Sequence, residues 1–169
     1  GISANLVIVR TQLRGDFRSE LPSFAPYDHV IAYVPSLDLY LDGTAEFHGA
    51  TELPRLDLGA LAVHVDEGDA KRIYLPSGDP EKNVIERRVQ AELAPDGSAD
   101  LTIDYETRCV AAPEWRARYH SEATRRDRIN RDLGRTFPGF AIVPGAAGIR
   151  TNDLEDLEQP VEIRVRGSA

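Results

Sequence analysis

Apolar and polar residues alternate along most of the chain, which is the pattern of strands that bury one face. The segments that carry this pattern, or a run of strand-favouring residues, are 4–11, the two runs within 26–47, 60–66, 70–76, 85–93 and 101–105, followed by the short runs "FAIVPG" and "PVEIRVRG". Short turn signals join neighbouring runs and predict antiparallel hairpins. The clearest hairpin pairs 85–93 with 101–105, and we expect its apolar face to be half buried.

The segment 111–134 has helical spacing instead. Trp115 and Tyr119 are four residues apart, and so are Ile129 and Leu133. Gly134 suits a helix end. The apolar stripe drifts between the two halves, so we expect one or two helices, with a break near 121–122. The predicted fold class is therefore mainly antiparallel β, an α+β fold whose helices are confined to this segment.

A polar stretch with Gly and Pro, "SGDPEKN" at 77–83, separates two groups of predicted elements. Such composition is typical of domain boundaries, so we expect two units, 1–76 and 84–169. The polar segment 12–26 is expected to be an exposed loop and 49–59 a connector. The chain starts without Met and ends on a strand-like run, which predicts a piece of a longer protein.

Composition excludes some classes of function. The 169 residues carry a net charge of −8, so general binding to nucleic acid or to anionic membrane is not expected. No apolar run approaches the roughly 20 residues that span a bilayer. The helical segment is locally basic through Arg116, Arg118, Arg125, Arg126, Arg128, Arg131 and Arg135. Acidic residues interleave with them, which favours a solvated, ion-paired face over a phosphate site, with nucleic-acid binding as the weaker alternative.

The sequence predicts neither a metal nor a cofactor. A Gly-rich phosphate loop and a Cys-x-x-Cys pair are both absent from it, and the single cysteine, Cys109, excludes an internal disulfide. The four histidines, His29, His48, His64 and His120, do not have the spacing of a zinc site. His64 alternates with valines on a predicted strand, which favours a structural or exposed residue.

The stretch "PYDHVIAYVPSLDLYLDGTAEF" at 26–47 carries the candidate chemistry. A short connection at 35–38 folds the second run back on the first, and alternation places His29 on one face with Ile31. Asp42 then lies opposite or diagonal to His29, with side-chain roots about 4.5–8 Å apart. A carboxylate at that position can hydrogen-bond to the imidazole, and the two side chains would then be two of the three members of a nucleophile–His–acid triad. The alternative interpretation is that His29 is a half-exposed polar residue and that Asp42-Gly43 is only a turn.

Three short sequences in this order resemble the second half of a transglutaminase-like core, in its bacterial multidomain form. "GISA" at 1–4 resembles the turn that follows the family's cysteine helix. "YDHV" at 27–30 resembles the strand headed by the family's histidine, and "LDGT" at 41–44 resembles the strand end that carries its acid. The likeness covers 1–47, and more weakly the continuation of the chain.

The resemblance implies a papain-like Cys-His-Asp site in which His29 is the base and Asp42 the acid. It makes 1–76 the C-terminal half of the core and 84–169 a β-rich C-terminal domain. The nucleophilic cysteine is expected one helix upstream of Gly1, so this chain alone is expected to lack acyl-transfer activity. The segment that contains Cys109 is predicted to be the end of a strand, so Cys109 does not fit the role of the nucleophile. The longer protein is expected to act on a protein or peptide substrate, and peptidase, amidase and transglutaminase all stay open.

The alternative function is that of a non-catalytic β-rich binding or assembly module of a bacterial envelope protein.

An incomplete core exposes strand edges and apolar surface, so we expect two kinds of partner. These are the N-terminal half of the core and a second copy of the chain, in a homo-oligomer. The resemblance slightly favours the cell envelope or periplasm.

Overall fold

A computed structural model describes residues 1–15 and 23–169. The part of the expected loop that spans 16–22 lies outside the described residues. The chain divides into two compact units, Gly1–Asp79 and Pro80–Ala169. Ten strands and two helices occur in the described ranges, and every strand pairing among them is antiparallel. The predicted fold class, mainly antiparallel β with helices confined to one segment, is confirmed.

The first unit is a five-stranded sheet in the order β3-β2-β1-β4-β5. Its strands are β1 (Asn5–Arg10), β2 (His29–Val34), β3 (Leu39–Leu41), β4 (Leu61–Asp66) and β5 (Asp69–Tyr74). The connection Pro35–Leu37 between β2 and β3 is a single 3-10 turn, which Asp38 ends in a left-handed conformation. Both hairpins expected in this unit are present.

The buried face of this sheet centres on β1. Val7 and Val9 are fully buried, and Ile31 of β2 packs beside them. Val9 pairs with His29 on one side and with Ala62 on the other. Directly paired residues of antiparallel strands point to the same face, so His29 lies on the buried face.

Two polar side chains fix the point at which β2 begins. Asp28 accepts hydrogen bonds from the backbone N–H and the hydroxyl of Thr11, both at 2.8 Å. Arg10 donates to the carbonyl oxygens of Pro26 at 2.8 Å and of Arg14 at 2.6 Å. The polar residue at the head of the strand therefore anchors it to the chain that leaves β1.

The second unit is built on the strand order β6-β7-β10-β8, with β9 also paired to β10. Its elements are β6 (Ile85–Leu93), β7 (Ala99–Thr107), α1 (Ala111–Tyr119), α2 (Glu122–Gly134), β8 (Ala141–Ile142), β9 (Ile149–Thr151) and β10 (Val161–Ser168). The predicted helix break near 121–122 is confirmed. The three-residue strand β9 was not predicted, because it is too short to show alternation.

The helices pack on β7, β10 and β8. Ile103, Ile163 and Val165 of the sheet are buried together with Tyr119 and Leu133 of the helices. Within the ranges 1–15 and 23–169, no helix combines the length and the apolar content that crossing a bilayer requires.

The apolar face of β6 is exposed, which corrects the expectation of a half-buried strand. The exposed fraction is 59% for Ile85, 40% for Val89 and 80% for Leu93. β6 is an edge strand, whereas its partner β7 carries the fully buried Ile103. Alternation reveals that a strand has an apolar face, but it does not reveal whether another element covers that face.

The arginines of the helical segment bind backbone carbonyl oxygens more often than carboxylates. The arginines that donate to carbonyls are Arg116, Arg125, Arg126 and Arg128. Arg116 is only 1% exposed. Asp132 forms ion pairs with Arg118 and Arg135. The prediction of a solvated face is therefore wrong for Arg116, which is buried, and the carbonyl contacts of the other arginines were not predicted.

Truncating one isoleucine in the core and one on the edge strand should show, from the loss of unfolding free energy, which of the two side chains another element covers. Ile103→Ala should lower the free energy of unfolding by about 2–5 kcal/mol, because it leaves a cavity in the core. Ile85→Ala makes the same chemical change on an exposed face and should cost about 0.5 kcal/mol. Urea unfolding followed by the fluorescence of Trp115, the single tryptophan, measures both. Equal losses would show that β6 is covered.

Candidate functional site

The predicted contact between His29 and Asp42 is present. The register pairs Ala32 with Leu41, so Asp42 directly follows β3 on the face that Ile31 and His29 share. The Nε2 atom of His29 lies 2.9 Å from Oδ2 of Asp42. The Asp42 side chain is 4% exposed and that of His29 is 22% exposed. The imidazole is therefore held on one side by a buried acid and stays open to solvent on another.

Thr44 fixes the orientation and the charge of Asp42. Oδ1 of Asp42 accepts the backbone N–H of Thr44 at 2.9 Å and its hydroxyl at 2.8 Å. Burial raises the pKa of the Asp42 carboxyl, but the hydrogen bonds from Thr44 and His29 outweigh burial, so the pKa lies below its usual range. An ionised carboxylate only accepts hydrogen bonds, so Nε2 of His29 is the donor. Nδ1 of the ring makes no hydrogen bond to any residue of the described ranges.

A third member of this group, Asp57, was missed by the sequence analysis. Its Oδ2 lies 3.9 Å from Nε2 of His29, and its side chain is 2% exposed. This oxygen has no hydrogen-bond partner among the described residues. Asp57 belongs to the segment 49–59, which was expected to be only a connector. Its position between Leu56 and Leu58 is the one sequence signal that indicates burial.

Gln12 places Asp57 beside the imidazole. The backbone N–H of Gln12 donates to the carbonyl of Leu56 at 2.9 Å, and its side-chain amide donates to the carbonyl of Leu58 at 2.6 Å. The residues on both sides of Asp57 are thereby tied to the chain that follows β1. A local turn, closed by the N–H of Ala60 on the Asp57 carbonyl at 3.0 Å, supports the same position.

The electrostatic state of Asp57 differs from that of Asp42. Burial raises the pKa of the Asp57 carboxyl. Proximity to His29 lowers this pKa, whereas the nearby charge of Asp42 raises it again, and the net pKa lies above the usual range. Asp57 has no equivalent of Thr44 to offset burial, so its ionised form is the costly one.

Together the three side chains form a donor set that could hold a metal ion. One ligand atom from each of His29, Asp42 and Asp57 lies within 4.8 Å of the other two. In the described part of the chain this is the one such group of His, Cys, Asp and Glu. An imidazole and two carboxylates are ligands that Zn²⁺ accepts. Sequence spacing did not reveal the group, because its members come from a strand, a strand end and a connector.

His64 and His48 make their hydrogen bonds outside this group. Nε2 of His64 accepts the side-chain amide of Asn5 at 3.1 Å, and its ring packs edge-on against Tyr33. The ring of His48 bonds to the carbonyl of Glu46, two residues away. None of these contacts reaches His29.

Cys109 lies beyond the strand to which the sequence analysis assigned it. β7 ends at Thr107, and Cys109 sits in the following turn with a positive φ of 51°. Its carbonyl accepts the N–H of Ala112, in the first turn of α1. The residue belongs to the second unit, whereas His29 belongs to the first.

Comparison with protein-family models, with curated proteins and with solved structures finds no match to this chain. The transglutaminase-like resemblance therefore rests on the three short sequences alone. The contact of His29 with Asp42 is a structural fact, whereas the catalytic role of the pair stays a prediction.

Replacing Asp57 should change the pH dependence of stability. A carboxyl whose folded pKa is raised favours the folded state below its unfolded pKa and loses that contribution as pH rises through the folded pKa. Asp57→Asn removes this loss, so its stability relative to the unmodified chain should increase from pH 4 to pH 7. Urea titration followed by the NMR signals of the Val7 and Val9 amides reports on this unit.

Asp66→Asn is the matched control, because it makes the same chemical change at the last residue of β4, whereas Asp57 lies in the connector before that strand. We expect its stability difference to be nearly the same at both pH values. An Asp57→Asn difference that does not change with pH would contradict the assignment of a raised pKa.

Proposed function

We propose that His29 and Asp42 form the acid–base half of a transglutaminase-like acyl-transfer site whose nucleophile is a cysteine upstream of Gly1. The observation that carries the proposal is the 2.9 Å contact between Nε2 of His29 and Oδ2 of Asp42. A buried acid holds one ring nitrogen, and the other nitrogen makes no hydrogen bond to a described residue. Such an imidazole can accept a proton from a thiol placed on its free side.

The reaction follows from the charges of these groups. Nδ1 of His29 takes the thiol proton while the sulfur attacks an amide carbonyl, and the imidazolium then protonates the leaving amine. A thioester to the cysteine results. Water or a second amine next gives a proton to His29 and attacks the thioester, and the sulfur leaves and takes that proton from the imidazolium, which restores the thiol and the neutral ring. Asp42 keeps its negative charge throughout and stabilises the imidazolium.

The choice of acceptor separates the activities that this chemistry allows. Water gives a peptidase or an amidase, and an amine gives a transglutaminase. The His29–Asp42 geometry serves both equally, so the proposal covers the acyl-transfer class and a protein or peptide amide as substrate.

The first test is the reading frame and the activity of the longer protein. A cysteine about one helix upstream of Gly1 supports the proposal, and a different residue at that place counts against it. With the cysteine present, the longer chain should hydrolyse peptide amides or incorporate an added primary amine. Product analysis with and without the amine tells the two activities apart.

Removing the charge of Asp42 should abolish most of that activity without unfolding the protein. Asp42→Asn in the longer chain should lower amide turnover by about 10²- to 10⁴-fold, because the imidazole loses the acceptor that orients it. His29→Ala should lose at least as much, and Asp66→Asn should retain full turnover. Thermal melting of each variant shows whether folding is intact. Unchanged turnover in His29→Ala would refute the catalytic role.

The exposed β6 row, which consists of Ile85, Val89 and Leu93, favours assembly as a second candidate function. The row lies on an edge strand whose outer backbone groups have no strand partner in the described sheet. Such an edge is a template for pairing with another strand. In this candidate function two copies of the chain pair through β6, and the role is structural.

Sedimentation velocity tests the assembly candidate. The chain should form a dimer at high concentration, and Val89→Lys should make it monomeric because it places a charge within the row. His29→Ala should not affect the dimer. A chain that is monomeric at every concentration would exclude this function.

A further inference from the structure

In the described ranges, Oδ2 of Asp57 is the one buried carboxylate oxygen that has no hydrogen-bond partner, and the Asp57 side chain is 2% exposed. A buried polar group normally has a partner, because leaving a charge both desolvated and unpaired costs free energy. The orphaned oxygen points to a function beyond folding.

The imidazole of His29 lies close to this oxygen. Nε2 lies between two carboxyl groups, with Oδ2 of Asp42 at 2.9 Å and Oδ2 of Asp57 at 3.9 Å. Both are buried, so solvent screens neither of them well. Two acceptors on one side of the ring favour a hydrogen on Nε2 over a hydrogen on Nδ1.

Two further titratable groups, Asp28 and His48, act electrostatically on Asp57 but make their hydrogen bonds with other residues. Asp28 accepts hydrogen bonds from Thr11 and Arg14. The ring of His48 bonds to the carbonyl of Glu46. Within the described part of the chain, Asp42 and Asp57 are thus the two carboxyl groups within 4.0 Å of Nε2.

We propose that Asp57 is a positioning residue that, together with Asp42, keeps the hydrogen of the neutral His29 ring on Nε2 and leaves Nδ1 free to accept a proton. The inference rests on the proposed function in one respect, namely that the proton accepted by Nδ1 comes from the cysteine thiol. Asp42 supplies the direct hydrogen bond. Asp57 acts through space on the same nitrogen and is held in place by the two hydrogen bonds of Gln12.

A bound divalent cation is the competing explanation of the same three side chains. A cation would also satisfy the orphaned oxygen, but it would displace the hydrogen from Nε2, because a metal and a hydrogen cannot share one nitrogen lone pair. The 2.9 Å contact of Nε2 with Asp42 is an ordinary hydrogen-bond distance, so we favour the hydrogen. The two explanations predict opposite states of Nε2.

Ring-nitrogen NMR of the chain itself tests the proposal without any activity. At pH 8, two-bond ¹H–¹⁵N correlations should show His29 mainly with its hydrogen on Nε2. In Asp57→Asn the ratio of the Nε2–H to the Nδ1–H form should fall by about three- to tenfold, because a buried charge near the ring is removed. Asp42→Asn should lower the ratio further, and Asp66→Asn should leave it unchanged.

Asp57→Ala repeats the measurement without an amide that could itself donate a hydrogen bond, and backbone spectra show that each variant is folded. An unchanged ratio in both folded Asp57 variants overturns the proposal.

Titration of the chain with Zn²⁺ alone is the second experiment. Stoichiometric binding that removes the Nε2–H signal in the unmodified chain, and fails in Asp57→Asn, also overturns the proposal and establishes a metal centre.

Kinetics of the longer chain complete the test. Asp57→Asn should lower kcat and leave KM nearly unchanged, because Asp57 acts on the base and not on the substrate. A loss confined to KM would contradict the positioning role. If His29→Ala leaves turnover unchanged, the proposed function fails, whereas the NMR ratio still decides the role of Asp57.

Discussion

The pairing of Val9 with His29 is the contact on which the first unit and its site depend. It seats the imidazole on the buried face, where Asp42 and Asp57 can reach it. A slip of one residue would turn His29 to the opposite face, where Leu6 and Val30 are half exposed. The hydrogen bonds of the residue before His29, Asp28, to Thr11 oppose such a slip, since they fix where the strand starts.

The part of the site that the sequence predicts is the part held by local geometry. A short connection and strict alternation determine which face His29 takes and which end of the hairpin Asp42 occupies. The position of Asp57 depends instead on hydrogen bonds from Gln12, more than forty residues earlier in the chain. The exposure of Val89 depends in the same way on where the helices pack. Such information is tertiary, so periodicity along the chain does not contain it.

Asp42 and Asp57 show how one residue type acquires two electrostatic states at one imidazole. Both carboxyl groups are buried, and burial raises the pKa of each. The turn after β3 supplies Asp42 with two hydrogen bonds from Thr44, and these, together with the hydrogen bond from His29, reverse the direction of the shift. The connector offers Asp57 no such donors. The difference is therefore set by the donors of Thr44 and by the closer approach of His29 to Asp42.

Both acids of the site lie outside the regular strands, whereas the histidine lies within one. A strand position tolerates little change, since insertion or deletion would reverse every side chain that follows it. Loops accept such changes more readily, and they vary more among related proteins. In this architecture the sheet sets the position of the imidazole, whereas two loops set the number and the charge of its acidic neighbours, so a change in either loop can alter the electrostatics of the ring without moving it.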